Sequence, residues 1–83
     1  MKSRMSNKDN YDQVFIVSFD LDAKQLNDKL EYNSIEAWDS IGHMNLISNL
    51  EEDFKISLET DDIVDFSSFK KGKEILEKYK ISF

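Results

Sequence analysis

The 83-residue chain, 40% hydrophobic and 34% charged, has the length of one domain and a composition that excludes both a disordered tail and a membrane protein. It has no cysteine, which rules out a disulfide staple, a thiolate metal site and a cysteine nucleophile, so any thiol chemistry needs a sulfur brought from outside. A net charge of −6 sets most of the surface against nucleic-acid phosphates, and a polar start with no apolar run longer than Val14 to Val17 leads us to expect no signal peptide, no membrane insertion and a cytoplasmic location.

With no proline and only Gly42 and Gly72 as glycines, helices are expected to dominate, with turns made by Ser, Asn, Asp and Thr. Residues 1–83 are read as a single domain in which residues 1–7 form a flexible tail. The first helix is expected from about Asn7 to Phe19, capped by Ser6 or Asn7, with Asp9 and Asp12 in its first turns and Tyr11, Val14, Phe15 and Ser18 on one stripe that Phe19 extends. From Asp20 to Asp39, polar residues interrupt Leu21, Leu26, Leu30, Ile35 and Trp38 without sustained periodicity, which reads as a long packed loop. Leu26 and Leu30 allow one helical turn within it.

Ser40 to Phe54 is the clearest helix, opened by the capping dipeptide Asp39-Ser40. Its stripe of Ile41, Met44, Ile47 and Leu50, with Leu46 and Phe54 beside it, is wide enough to bury one edge and leave Ile41 and Met44 for a partner. Lys55 to Glu59 forms a short connection, Thr60 is expected to cap a brief helix through Asp65, and Ser67 or Ser68 starts the last helix, whose inner face is Phe69, Gly72, Ile75, Leu76 and Tyr79.

The negative charge is concentrated in the middle. Residues 36–65 carry nine acids against Lys55 alone, whereas residues 66–83 carry five lysines against Glu74 and Glu77. A solvated face that keeps the chain soluble accounts for this, and so does a docking surface for basic partners.

Three constellations bear on chemistry. Asp20, Asp22, Asp28 and Glu31 fall at liganding positions of a calcium loop, but Lys24 stands where an oxygen ligand belongs and Gln25 where the turn needs glycine, so no metal site is expected. Asp39, Ser40 and His43 lie within one helical turn, yet Asp39 is poorly placed to orient the imidazole and there is no nucleophile elbow, so no enzyme is expected and His43 reads as a surface residue. Ser40 itself reads locally as a cap, worth about 0.5–2 kcal/mol. A serine exposed at a helix start, near free N–H groups and the positive end of the helix dipole, is also a suitable anchor for a phosphodiester.

The stretch from Trp38 to Phe54, WDSIGHMNLISNLEEDF, resembles the acyl carrier protein signature, an Asp-Ser-Leu/Ile/Met motif opening an amphipathic helix with an acidic, aromatic end. Lys55-Ile56-Ser57-Leu58, Thr60-Asp61-Asp62-Ile63 and Asp65-Phe66-Ser67-Ser68-Phe69 are similar to the family's later connection, third helix and fourth junction, extending the resemblance over about residues 10–80. It implies an all-α, four-helix, acyl-carrier-like bundle with a long first loop and a short third helix. It further implies a non-catalytic carrier in which Ser40 receives 4′-phosphopantetheine from coenzyme A through a phosphopantetheinyl transferase and delivers thioester-bound acyl groups from loading enzymes to transferring enzymes. Asp39, Ile41 and Met44 would be read by those partners. Glu51, Glu52, Asp53, Asp61 and Asp62 would form the acidic docking face, on a monomer.

The chain departs from primary fatty-acid carriers at Gly42 and Asn45, where that family commonly has acids, and at Trp38, where a small residue is common. Two docking charges are thereby missing, Gly42 is expected to loosen the first helical turn, and a specialised biosynthetic pathway is implied. The rival from another class is a helical interaction module in which Ser40 only caps and the acidic face binds one basic partner.

Overall fold

The hydroxyl of Ser6 accepts the N–H of Asp9 at 3.1 Å and caps α1, Asn7–Phe19, in this computed structural model, which describes residues 6–83. The Asn7 amide donates to the carbonyl of Ser82 at 3.0 Å, so Ser6 and Asn7, assigned above to a tail, belong to the folded part. The rest of that stretch, residues 1–5, lies outside the described residues. Tyr11, Val14, Phe15 and Phe19 are buried because their spacing puts them on one face of the helix. Ser18 sits half buried at the edge of that face and accepts from Asn49 Nδ2 at 2.8 Å, joining α1 to α2, Ser40–Phe54.

Residues 20–39 form the expected long loop, with more internal order than its sequence suggests. A 3-10 turn occupies Ala23–Gln25, just ahead of the expected Leu26–Leu30 turn, and Gln25 Oε1 closes it by accepting the N–H of Asp22 at 2.9 Å. Leu30 and Trp38 reach the core. Between them the loop pairs with the chain ahead of α4, Phe69–Glu77, through an antiparallel bridge of Glu31 with Ser68. There the N–H of Tyr32 donates to the Ser67 carbonyl at 2.9 Å and that of Phe69 to the Leu30 carbonyl at 2.8 Å. The bridge satisfies backbone groups that a packed loop would otherwise strand. Among the described residues no group of three or more His, Cys, Asp or Glu is placed to hold a metal ion.

Thr60 does not cap α3, Thr60–Asp65; Glu59 occupies the cap position without a side-chain bond, and Thr60 is the first helical residue. Glu59 is extended there, and its N–H donates to Tyr79 Oη at 3.0 Å, tying the start of α3 to the chain after α4. Ser68 caps α4, accepting the N–H of Lys71 at 2.9 Å.

Buried side chains from α1, α2, α4, the loop and the connections form one cluster, with the half-buried Ile63 of α3 packed against it, and at its centre the Phe15 ring lies 4.9 Å from Tyr11, 5.0 Å from Phe69 and 5.5 Å from Trp38. Tyr11 donates to the Phe69 carbonyl at 2.6 Å, and burial, aided by Asp12, pushes its pKa well up, keeping it a neutral donor. The described chain is thus all-α, with a long first loop and a short third helix. No helix among the described residues is long and apolar enough to cross a membrane.

Candidate functional site

Asp39, not Ser40, caps α2. Its backbone is extended and its Oδ1 accepts the N–H of Gly42 at 2.8 Å, while its carbonyl accepts that of His43 at 2.7 Å. Ser40 is the first helical residue, exposed, with Oγ 3.1 Å from Tyr32 Oη. The capping role open to Ser40 on sequence grounds therefore falls to its neighbour, and its hydroxyl is released from that duty.

Gly42 sits where the first turn of α2 meets the loop with no room for a side chain. A Cβ there would overlap the carbonyl of Ala37 and come within 3.3 Å of Phe19 Cε1, so the absence of a side chain lets α2 press its first turn directly onto the loop. Its cost in helix propensity, roughly 1 kcal/mol, is offset by this close approach.

His43 is half buried, and both its ring nitrogens are engaged. Nδ1 accepts from Trp38 Nε1 at 2.9 Å, which places the ring proton on Nε2, 2.8 Å from the carbonyl of Ile63. The imidazole therefore ties the loop and α2 to α3, and is not directed at Ser40. Trp38 is fully buried, stacked on Phe19 at 5.2 Å and lying parallel to the His43 ring. Tyr32 completes the arrangement with its ring edge-on to His43 at 5.7 Å.

Beside Ser40 opens a groove of about 350 Å³, walled by Tyr32, His43, Met44, Ile63, Val64 and Phe66. At its rim Met44 is 53% and Val64 74% exposed, and nearby Ile41 is 81% exposed. These large side chains stay outside a core already filled with aromatic rings, making an apolar patch around the serine.

The acids expected on the docking face divide into two groups. Asp39, Glu52, Asp53 and Asp61 are exposed. Glu51 is half buried and its Oε2 accepts the N–H of Leu58 at 2.8 Å, holding the α2–α3 connection. Asp62 is buried at 8% exposure, accepting from Lys78 Nζ at 2.6 Å and from the Tyr79 hydroxyl. It locks α3 to the end of α4.

Hydrogen bonds from Lys78 and then Tyr79 hold the Asp62 carboxyl below its ordinary 3.8, while the bond to Asp62 raises Lys78 above 10.5. A lowered carboxylate stabilises the fold above its unfolded value and loses that effect as pH falls through the folded one; a raised lysine behaves oppositely. The stability advantage of the wild type over Asp62→Asn is therefore expected to be fully present between 3.8 and 10.5 and to shrink at both extremes, measured by urea unfolding across pH. A constant advantage into acid would show that the charge on Asp62 contributes nothing.

The sequence draws attention to Ser40 but not to the Tyr32 that the fold sets beside it, whose position eight residues upstream in an aperiodic loop gives no signal until the bridge to Ser67 and Ser68 is formed. Comparison with protein-family models, curated proteins and solved structures finds no match. A functional reading of this chain therefore rests on its own residues and their geometry.

Proposed function

We propose that the chain is a cytoplasmic, monomeric carrier protein that holds a 4′-phosphopantetheine arm on Ser40 and delivers acyl groups, bound to it as thioesters, to partner enzymes in a specialised biosynthetic pathway. The observation that carries this reading is the division of labour at the start of α2: Asp39 caps, and Ser40 presents an unburied hydroxyl beside an apolar groove. Esterifying Ser40 would leave the cap intact. The residues fit the arm, since Ser40 Oγ is exposed and Tyr32 offers a hydroxyl at its side. When bound, the arm supplies the thiol that a chain without cysteine lacks.

In the attachment reaction, catalysed by a phosphopantetheinyl transferase, Ser40 Oγ forms a bond to the pantetheine-bearing phosphorus of coenzyme A as the phosphoanhydride bond breaks. Adenosine 3′,5′-bisphosphate leaves with the electron pair, and the serine proton passes to a base of the transferase. The exposed patch of Ile41, Met44 and Val64, with Asp39, Glu52, Asp53 and Asp61, suits partners that combine an apolar contact with basic residues. Glu51 and Asp62 are proposed to support that face from within.

Incubation with coenzyme A and a broad-specificity transferase, followed by mass spectrometry, is expected to show one added arm on the wild type and none on Ser40→Ala. An unchanged wild-type mass with several transferases would reject the carrier reading. It would favour the interaction module, for which the exposure of Ile41 and Val64 already speaks.

A further inference from the structure

Tyr32 lies outside every helix, yet several contacts fix its place. Its N–H is bound by the Ser67 carbonyl at 2.9 Å, the adjacent Glu31 is bridged to Ser68, and its ring edge rests on His43 at 5.7 Å. His43 is itself clamped by the Trp38 indole and the Ile63 carbonyl. This succession from the core to the surface ends at Tyr32 Oη, 3.1 Å from Ser40 Oγ.

Resting on the carrier reading, we infer that Tyr32 is a positioning residue for the Ser40 phosphodiester, holding the serine oxygen before the arm is attached and the phosphate afterwards. A phenol is suited to both states because it accepts and donates. The free serine donates its hydroxyl hydrogen bond to Tyr32, which fixes Oγ with its lone pairs outward until the proton leaves for the transferase base as the bond to phosphorus forms. After esterification that proton is gone and the site carries only acceptors, one of them a charged phosphate. Tyr32 then donates, in a bond strengthened by the charge. Phenylalanine could do neither while still packing on His43.

Tyr32→Phe tests this, because it deletes one oxygen and keeps the ring. Both proteins are loaded by the transferase from coenzyme A, and phosphorus NMR is recorded on the folded and the urea-unfolded products. The phosphorus resonance of the folded variant is expected to move from the wild-type position toward that of the unfolded product, and kcat/KM for attachment to fall about three- to tenfold. A folded variant with the wild-type phosphorus shift overturns the role of Tyr32, whatever its loading rate. Failure of the wild type to accept any arm overturns the carrier reading and this inference together, so the two failures are distinguishable.

Discussion

Trp38→Ala is expected to lower the stability of the domain by about 3–5 kcal/mol or more. Trp38 is 0% exposed, stacks on Phe19 and meets Phe15 edge-on at 5.5 Å, so truncation removes the side chain that joins the loop to α1. Deleting a buried aromatic of this kind costs about 3–5 kcal/mol. The change also strips His43 Nδ1 of its donor, loosening the tie from α2 to α3. A domain of 83 residues has in total roughly 4–12 kcal/mol of stability, so one substitution removes from roughly a quarter to all of it. Urea unfolding followed by far-ultraviolet circular dichroism measures the loss, since the chain's single tryptophan is gone. Trp38→Phe separates the contributions: it keeps a ring in the stack but deletes the indole N–H, with an expected loss of about 1–3 kcal/mol. A wild-type midpoint for Trp38→Ala would show that the loop is not part of the core.

Gly72→Ala reverses the usual rule for helices. In an exposed helix interior, alanine in place of glycine stabilises by roughly 1 kcal/mol. Here a Cβ would overlap the Phe66 ring and the Tyr11 hydroxyl, and that hydroxyl is committed to the Phe69 carbonyl at 2.6 Å. The methyl group is accommodated only if α4 shifts, or if both the Phe66 ring and the Tyr11 hydroxyl give way, so a net destabilisation of about 1–3 kcal/mol is expected. Removing the obstructing oxygen provides the control. In Tyr11→Phe the hydroxyl is absent, and adding Gly72→Ala to that background is expected to cost less than in the wild type, because the two positions share one space. Equal costs in the two backgrounds would place the obstruction elsewhere.

Much of the helix layout was legible in the residues. The ends of α1 and α2 follow from the cap at Ser6, the motif at Asp39-Ser40 and the span of each apolar stripe, and the inner face of α4 follows from the spacing of Phe69, Gly72, Ile75 and Leu76. Local rules were less able to assign roles among adjacent polar residues. Asp39 and Ser40 both make good caps, and only the extended backbone at Asp39 decides between them. Thr60 reads equally well as a cap, but the extended residue before α3 is Glu59, whose N–H is held by Tyr79 Oη. Glu51 and Asp62 read as docking charges because a run of acids gives no indication of which carboxylates have internal donors.

The start of α2 is marked by the capping pair Asp39-Ser40, and the long loop before it by its broken periodicity. The sequence alone determined those features because helix start signals and apolar spacing act within a few residues. Tertiary structure decided what surrounds Ser40. The bridge of Glu31 to Ser68 brings Tyr32 to its hydroxyl, the Trp38 indole and Ile63 carbonyl turn the His43 ring away from it, and the carbonyl of Ala37 makes glycine necessary at position 42. Each of these depends on where a loop backbone without periodicity comes to rest against helices, and that is settled by packing across the whole core, which no local pattern records.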